Sequence, residues 1–140
     1  MIGVLAVAGL ADSAYLTIAH YSNAPLACAN TGVINCDLVT RSSYGVIPGT
    51  AVPVSLAGIA WFAIALVLAA MLARSGSAPA LALVGWSIAG TAAALYLVYV
   101  ELVLLHHICE WCTVAHVAVV AILLLSVSAA QTRVGRLADA

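Results

Sequence analysis

The chain consists of long apolar stretches separated by short polar segments. Two nearly unbroken apolar stretches lie in its first half, and a much longer one extends over residues 80–130. Because about 20 apolar residues cross a bilayer as a helix, the long stretch is sufficient for two spans. A polar cluster from Glu101 to Glu110 marks the turn between them. The predicted transmembrane helices are residues 2–21, 51–73, 80–105 and 108–130.

The composition leads to the same conclusion. Of the 140 residues, 66% are apolar and only 6% are charged, against roughly 25% charged residues in a soluble domain. A soluble chain this short could not hide so much apolar surface, because small domains leave a large share of their surface in water. The chain is therefore predicted to be surrounded by membrane lipid. The net charge of −1 and the lack of a basic patch argue against a nucleic-acid partner.

The longest polar segment, residues 22–50, connects the first two predicted helices. Its sequence from Asn35 to Asp37 is typical of a helix start, with Asn35 as the capping residue and Asp37 in the first turn. Gly45 is predicted to end this short helix. We therefore expect a single all-α membrane domain over residues 1–140, a four-transmembrane-helix bundle with an outer loop that contains a short helix.

The arginines predict the orientation in the membrane. Arg74, Arg133 and Arg136 fall on one face of the predicted bundle, and Arg41 falls on the other. Since cytoplasmic segments carry an excess of basic residues, the face with three arginines is predicted to be cytoplasmic, together with both termini. All four cysteines then lie outside, where disulfides persist. No basic residue precedes Arg41, so the first apolar stretch is predicted to be a span and not a cleaved signal peptide.

The sequence Cys109-Glu110-Trp111-Cys112 stands where the last predicted helix begins. Unpaired amides and the helix dipole at such a position favour the thiolate form of a cysteine. The two sulfurs also lie one helical turn apart, near enough to close a disulfide with little backbone movement. A static disulfide usually closes a longer loop, because a short ring constrains the unfolded chain very little. This pair is therefore predicted to be redox-active, and His116 shares the helix face of Cys112.

Cys28 and Cys36 form a second pair in the outer loop. Taken alone, this pair fits a structural disulfide as well as a redox-active one. Together with the first pair, it suggests a relay in which thiol–disulfide exchange passes electrons from the outside to the membrane boundary. Four cysteines could instead hold a zinc ion, but the seven-residue spacing and the outward orientation argue against a metal site.

A dithiol at a membrane boundary needs an electron acceptor. The sequence contains no nucleotide-binding loop, haem attachment site or flavin fingerprint. By elimination, the expected acceptor is a lipid-soluble quinone, menaquinone or ubiquinone, held between the helices near Cys112. A non-catalytic membrane scaffold with two structural disulfides remains the alternative function.

Several motifs occur in an order that matches one known family. These positions are Ser13-Ala14-Tyr15-Leu16, Cys28-x7-Cys36, Ser42, Gly49, Pro53, Gly58 and Cys109-x-x-Cys112. With them the chain resembles the vitamin K epoxide reductase family in its bacterial disulfide-forming branch. The unrelated bacterial quinone reductases of disulfide-forming systems carry the CxxC pair in the first outer loop, and the order here is reversed.

The resemblance implies a fold, a partner and a role for each cysteine. It implies a four-helix bundle around a quinone in the bacterial cytoplasmic (inner) membrane, which re-oxidises a separate thioredoxin-like thiol oxidase outside. Cys28 would take electrons from this partner and Cys36 would pass them to Cys109. Cys112 would then face the quinone as the reducing thiolate.

The resemblance also implies which residues surround the quinone. Ser42 matches a serine beside the active site, and Tyr44 matches an aromatic residue that caps the pocket. Val39 and Leu105 match apolar pocket positions. The vertebrate enzymes carry a Tyr at the position of His116, and an Asn near the start of the second span, where this chain has Val54. Since both positions contact the substrate there, simple quinone reduction is favoured over epoxide reduction.

Overall fold

A computed structural model describes residues 1–29, 31–74 and 77–138, and most of these residues are helical. The helices are α1 (Ile2–Ser22), α2 (Cys36–Thr40), α3 (Val54–Arg74), α4 (Ser77–Tyr99) and α5 (Glu110–Ala138). Four segments within this part of the chain are long and apolar enough to cross a membrane. The chain is therefore a multi-pass membrane protein, and the predicted all-α fold class is confirmed.

Two of the long helices begin later than the sequence pattern indicates. Helix α3 begins at Val54 and not near residue 51, because the preceding residues form a tight hairpin in which the Ile47 N–H donates to the Val52 carbonyl at 2.8 Å. Helix α5 begins at Glu110 and not near residue 108, because Ile108 has extended backbone and pairs with the outer loop. The apolar stretches in the sequence therefore begin before the helices α3 and α5 do.

The short helix α2 begins where the sequence predicts. Asn35 is its N-cap, and the Asn35 side chain accepts a hydrogen bond from the Leu38 N–H at 2.9 Å. The helix ends at Thr40, however, so the prediction that Gly45 ends it is wrong. The chain turns back after Thr40, and Gly45 packs so closely against the Thr40 carbonyl that a Cβ atom would overlap it. Gly45 therefore permits a close backbone approach.

The long helices alternate in direction, which separates the two ends of the bundle. Helix α1 packs against α3 and α5, and α4 packs against the same two helices. The outer loop, the start of α3 and the start of α5 therefore meet at one end, which carries all four cysteines. At the other end, the Arg133 guanidinium donates to the Leu72 carbonyl at 2.7 Å. The Arg136 side chain and residues 75–76, part of a predicted cytoplasmic loop, lie outside the described residues.

Candidate redox site

The four cysteines form two disulfides, Cys28–Cys36 and Cys109–Cys112. The Cα atoms are 6.1 Å apart in the outer pair and 5.2 Å apart in the CxxC pair. Both separations lie in the range that a disulfide requires. The outer loop and the start of α5 therefore each carry a closed pair that accepts two electrons.

A short backbone pairing brings the two disulfides together. The Asn35 N–H donates to the Ile108 carbonyl at 3.0 Å, and the Ile108 N–H donates to the Val33 carbonyl at 2.9 Å. Cys36 directly follows Asn35, and Cys109 directly follows Ile108. Both cysteines are fully buried and belong to the same apolar cluster. The pairing thus places one cysteine of the outer disulfide beside one cysteine of the CxxC disulfide.

The four cysteines differ in how far they are buried. Cys28 is half-buried in the outer loop, whereas Cys36 and Cys109 have no exposed surface. Cys112 is half-buried and lines an internal cavity. Only Cys28 and Cys112 therefore face a space from which another molecule could approach.

The cavity lies among the helices next to Cys112 and has a volume of about 250 Å³, mostly with apolar walls. The side chains predicted to surround a quinone all line it: Val39, Ser42, Tyr44, Leu105 and His116. Val39 is buried, the Ser42 hydroxyl donates to the Val39 carbonyl at 2.8 Å, and Tyr44 is 40% exposed at the rim. Apolar walls with a few polar groups are typical of sites for small organic molecules. The cavity therefore fits an apolar ring that carries polar atoms at its edge.

Glu101 is a further cavity residue, and it lies near the end of the third predicted helix, where the polar cluster of the sequence begins. It belongs to the segment Val100–Leu105, which continues α4 as a wider π-helix, and it is only 5% exposed. Its carboxylate accepts a hydrogen bond from the Cys109 N–H at 3.1 Å. Wide helical turns of this kind are frequent at functional sites. Glu101 thus links the backbone of the CxxC pair to the cavity wall that it shares with His116.

The start of α5 supports sulfur chemistry at Cys109. Helix α5 begins at Glu110, and the Cys109 carbonyl accepts a hydrogen bond from the Thr113 N–H at 2.9 Å. The Cys112 N–H points at the Cys109 sulfur at 3.1 Å. Backbone amides and the helix dipole at this position favour negative charge on sulfur. The local structure therefore directs a backbone N–H at the Cys109 sulfur, and thiolate stabilisation there stays a prediction.

Side chains of α2 hold the first part of the outer loop. The Arg41 guanidinium donates to the Ala24 carbonyl at 2.9 Å and pairs with Asp37 at 3.2 Å. The Asp37 carboxylate also accepts a hydrogen bond from the Leu26 N–H at 3.4 Å. Leu26 is buried in the same apolar cluster as Cys36. Although irregular, the segment that leads to Cys28 is therefore attached to α2.

Three other side chains hold the residues on either side of Cys28. The Tyr15 hydroxyl accepts from the Ala27 N–H at 2.9 Å, and the Trp111 ring N–H donates to the Ala27 carbonyl at 2.7 Å. The Glu110 carboxylate accepts from the Ala29 N–H at 3.1 Å. The Trp111 ring also contacts the Tyr15 ring, with 4.9 Å between the two ring centroids. In the sequence, only motif membership pointed to these residues: Tyr15 belongs to Ser13-Ala14-Tyr15-Leu16, and Trp111 lies within the CxxC motif.

Glu110 is also close to the outer disulfide. Its carboxylate and the sulfurs of Cys28 and Cys36 lie within 4.8 Å of one another, close enough for three metal ligands. The two sulfurs are bonded to each other, however, and a metal ion binds the thiolate form of cysteine. In the oxidised protein, Glu110 therefore contacts this site through its hydrogen bond from the Ala29 N–H.

The whole of this site lies within the part of the chain that matches a known protein family. The family described as "Vitamin K epoxide reductase family" matches residues 1–127. This range includes the four cysteines and every residue of the cavity wall. No curated protein is significantly similar to the chain.

Proposed function

Since the chain belongs to the vitamin K epoxide reductase family and is thereby a membrane disulfide oxidoreductase, we propose that it oxidises thiols outside the cytoplasm and passes the electrons to a quinone. The observation that carries the proposal is the ordered position of the four cysteines. One pair begins at the half-buried Cys28, the other ends at Cys112 in the cavity wall, and Cys36 and Cys109 are buried between them.

The proposed reaction begins with the external partner. A thiolate of the partner attacks the Cys28 sulfur, which breaks the Cys28–Cys36 bond and releases Cys36 as a thiolate. The second thiol of the partner then displaces Cys28, so the partner leaves with its own disulfide and Cys28 is left as a thiol. The half-buried position of Cys28 supports this order, because the Cys36 sulfur is fully buried.

Exchange between the two pairs follows. The Cys36 thiolate attacks Cys109, which breaks the Cys109–Cys112 bond and releases the Cys112 thiolate. Cys28 then attacks Cys36, so the outer disulfide closes again and Cys109 becomes a thiolate beside Cys112. Each step exchanges one S–S bond for another, and both electrons now reside in the CxxC dithiol. The backbone pairing between Ile34 and Ile108 supports this transfer, since it holds Cys36 beside Cys109.

The cavity wall supports a quinone as the acceptor. A quinone bound there would accept two electrons and two protons and so return the CxxC pair to its disulfide. The apolar walls fit a quinone ring, while Ser42, Tyr44 and His116 bring polar groups to the same wall. Val54 and His116 line the cavity where the vertebrate enzymes carry Asn and Tyr. We therefore propose menaquinone or ubiquinone as the substrate, and not the vitamin K epoxide.

The proposed location is the bacterial cytoplasmic membrane, with the cysteines outside and both termini in the cytoplasm. Arg74 lies at the end of α3 and Arg133 near the end of α5, at the end of the bundle opposite the cysteines, which supports this orientation. The proposed partner is a thioredoxin-like thiol oxidase, as the family suggests, and the half-buried position of Cys28 supports access by its thiol.

Quinol formation by the purified, pre-reduced protein tests the proposal. Wild-type protein mixed with a short-chain ubiquinone or menaquinone is expected to form quinol and lose free thiols within seconds. Cys112→Ala should abolish both signals, because the electrons then cannot leave the CxxC pair. Cys28→Ala should block electron uptake from a reduced thioredoxin-like protein while sparing turnover driven by a small dithiol.

Full turnover by the Cys112→Ala protein would show that the assigned roles are wrong. Four thiols that remain free in the wild-type protein after long incubation with quinone would leave the scaffold function as the better explanation. Loss of thiols without quinol formation would instead point to an acceptor other than quinone.

A further inference from the structure

Side chains from the CxxC motif itself hold the outer disulfide. Glu110 and Trp111 lie between Cys109 and Cys112 in the sequence, and both bind the backbone that flanks Cys28. Tyr15 binds the same backbone from α1 and packs against the Trp111 ring. We refer to Tyr15, Glu110 and Trp111 as the Cys28 clamp. The clamp thus fixes the position of the outer cysteine relative to the helix turn that carries the inner pair.

Cys36 has two neighbours with which it can form a disulfide. In the resting protein it is bonded to Cys28, and the backbone pairing of Asn35 with Ile108 also places it beside Cys109. When Cys109 is a thiolate, it can attack Cys36, which forms a Cys36–Cys109 bond and releases Cys28 as a thiolate. The exchange involves no net oxidation or reduction. The ratio of the two disulfides therefore depends on how firmly Cys28 stays in place next to Cys36.

We propose that the Cys28 clamp consists of positioning residues that hold Cys28 against Cys36 and thereby favour the Cys28–Cys36 disulfide over Cys36–Cys109. Ala27 and Ala29, the residues on either side of Cys28, are exposed and bury little apolar surface of their own. The three hydrogen bonds of the clamp attach this segment. This inference rests on the thiol relay of the proposed function, but it is independent of the quinone step.

Two of the three clamp residues lie on the helix turn that carries the inner pair. Glu110 and Trp111 occupy the first turn of α5, the same turn that carries Cys112. A shift of this turn when the CxxC disulfide opens would reach the Cys28 segment directly through the two hydrogen bonds. The clamp therefore attaches the Cys28 segment to the turn that carries the inner pair.

A protein with three cysteines isolates the two competing disulfides. In the Cys112→Ala background, one oxidised disulfide can join Cys28 to Cys36 or Cys36 to Cys109, and neither quinone nor partner is required. The free thiol is trapped by alkylation in acid, and peptide mapping by mass spectrometry identifies it as Cys109 or Cys28. The ratio of these two products reports the disulfide equilibrium in the folded protein.

Conservative variants remove the clamp contacts one at a time. Tyr15→Phe and Trp111→Phe each remove one hydrogen bond and keep an aromatic ring, while Glu110→Ala removes the acceptor for Ala29. Each should raise the ratio of Cys36–Cys109 to Cys28–Cys36 about fivefold. This is the change in an equilibrium that the loss of one hydrogen bond of ordinary net strength produces. Glu110→Gln keeps an acceptor oxygen and should retain the starting ratio. Tyr96→Phe, at a ring that is 56% exposed, is the matched control.

Ratios within twofold of the starting value in Tyr15→Phe, Trp111→Phe and Glu110→Ala would overturn the proposal. A shift in Tyr96→Phe equal to that in Tyr15→Phe would overturn it too, because the effect would then not depend on the clamp. The thermal unfolding midpoint of each variant is measured in parallel, since a merely structural role would lower it without a change in the ratio. If the wild-type protein fails to reduce quinone, the proposed acceptor is wrong, yet this ratio remains measurable.

Discussion

Glu101 shows how one residue connects the backbone of the CxxC pair to the cavity. Its carboxylate accepts the Cys109 N–H at 3.1 Å, and both residues are buried. A buried N–H without an acceptor destabilises the folded state, because the same N–H is hydrogen-bonded to water in the unfolded state. The position of Cys109 therefore depends on a side chain eight residues earlier in the sequence.

Replacing Glu101 by Ala should destabilise the fold and displace Cys109. Loss of the acceptor is expected to lower the free energy of unfolding by about 1–3 kcal/mol, because the Cys109 N–H stays buried. Glu101→Gln retains an acceptor oxygen and should keep most of the stability. The measurement is denaturant or thermal unfolding of the detergent-solubilised protein, followed by circular dichroism. Equal stability of the Ala variant and the wild-type protein would contradict the structural role of this hydrogen bond.

At the level of the helices, close packing of α4 against α3 depends on a single glycine. Gly90 faces the Trp61 ring so closely that a Cβ atom would overlap it. The Trp86 ring N–H donates to the Trp61 carbonyl at 3.1 Å, and the two indole rings stack at 6.3 Å. Small residues allow such approach between helices in a membrane. Because Trp61 and Gly90 both line the cavity, this contact also shapes the candidate quinone site.

Two glycines of α4 provide a matched test of this packing. Gly90→Ala should destabilise the protein by about 1–3 kcal/mol, because the added methyl group forces the Trp61 ring to move. Gly85→Ala, in the same helix, adds its methyl group to open space and should leave the stability unchanged or raise it slightly, because Ala favours a helix over Gly. Both are compared by thermal unfolding in the same detergent. Destabilisation of the two variants to the same extent would show that helix geometry, and not the Trp61 contact, sets the effect.

The two ends of the bundle carry different chemical groups. The disulfides and the outer loop lie at one end of the bundle, and the chain near Arg74 and Arg133 lies at the other. The proposed relay therefore requires that the cysteine end face the compartment that contains the proposed partner. The positive-inside rule predicts that this compartment is outside the cytoplasm.

Labelling with a membrane-impermeant maleimide tests this orientation. In intact spheroplasts treated with reductant, Cys28 is expected to react, because it is half-buried at the outer end. A cysteine placed by Ala73→Cys in a cysteine-free protein lies at the opposite end of α3 and should react only after lysis. The reverse pattern would show that the cysteines face the cytoplasm and that disulfide formation outside is excluded.

The amino-acid sequence was sufficient to predict the features that depend on neighbouring residues. Apolar runs predicted four long membrane helices, and Asn35 predicted the start of α2. Such features form because each helix satisfies its own backbone hydrogen bonds, and a membrane permits little else. The local pattern failed at Gly45, where the deciding contact is the close approach of the returning chain to Thr40.

Contacts between distant residues decided the arrangement of the site. Trp111 and Ala27 are 84 positions apart, and Glu110 and Ala29 are 81 positions apart. The pairing of Ile34 with Ile108, which brings Cys36 beside Cys109, also depends on how the outer loop folds over the bundle. Hydropathy and spacing contain no information on such pairs, because they describe one segment at a time. The sequence thus determined the four cysteines to which we assign the redox chemistry, and the tertiary structure decided which of them are paired.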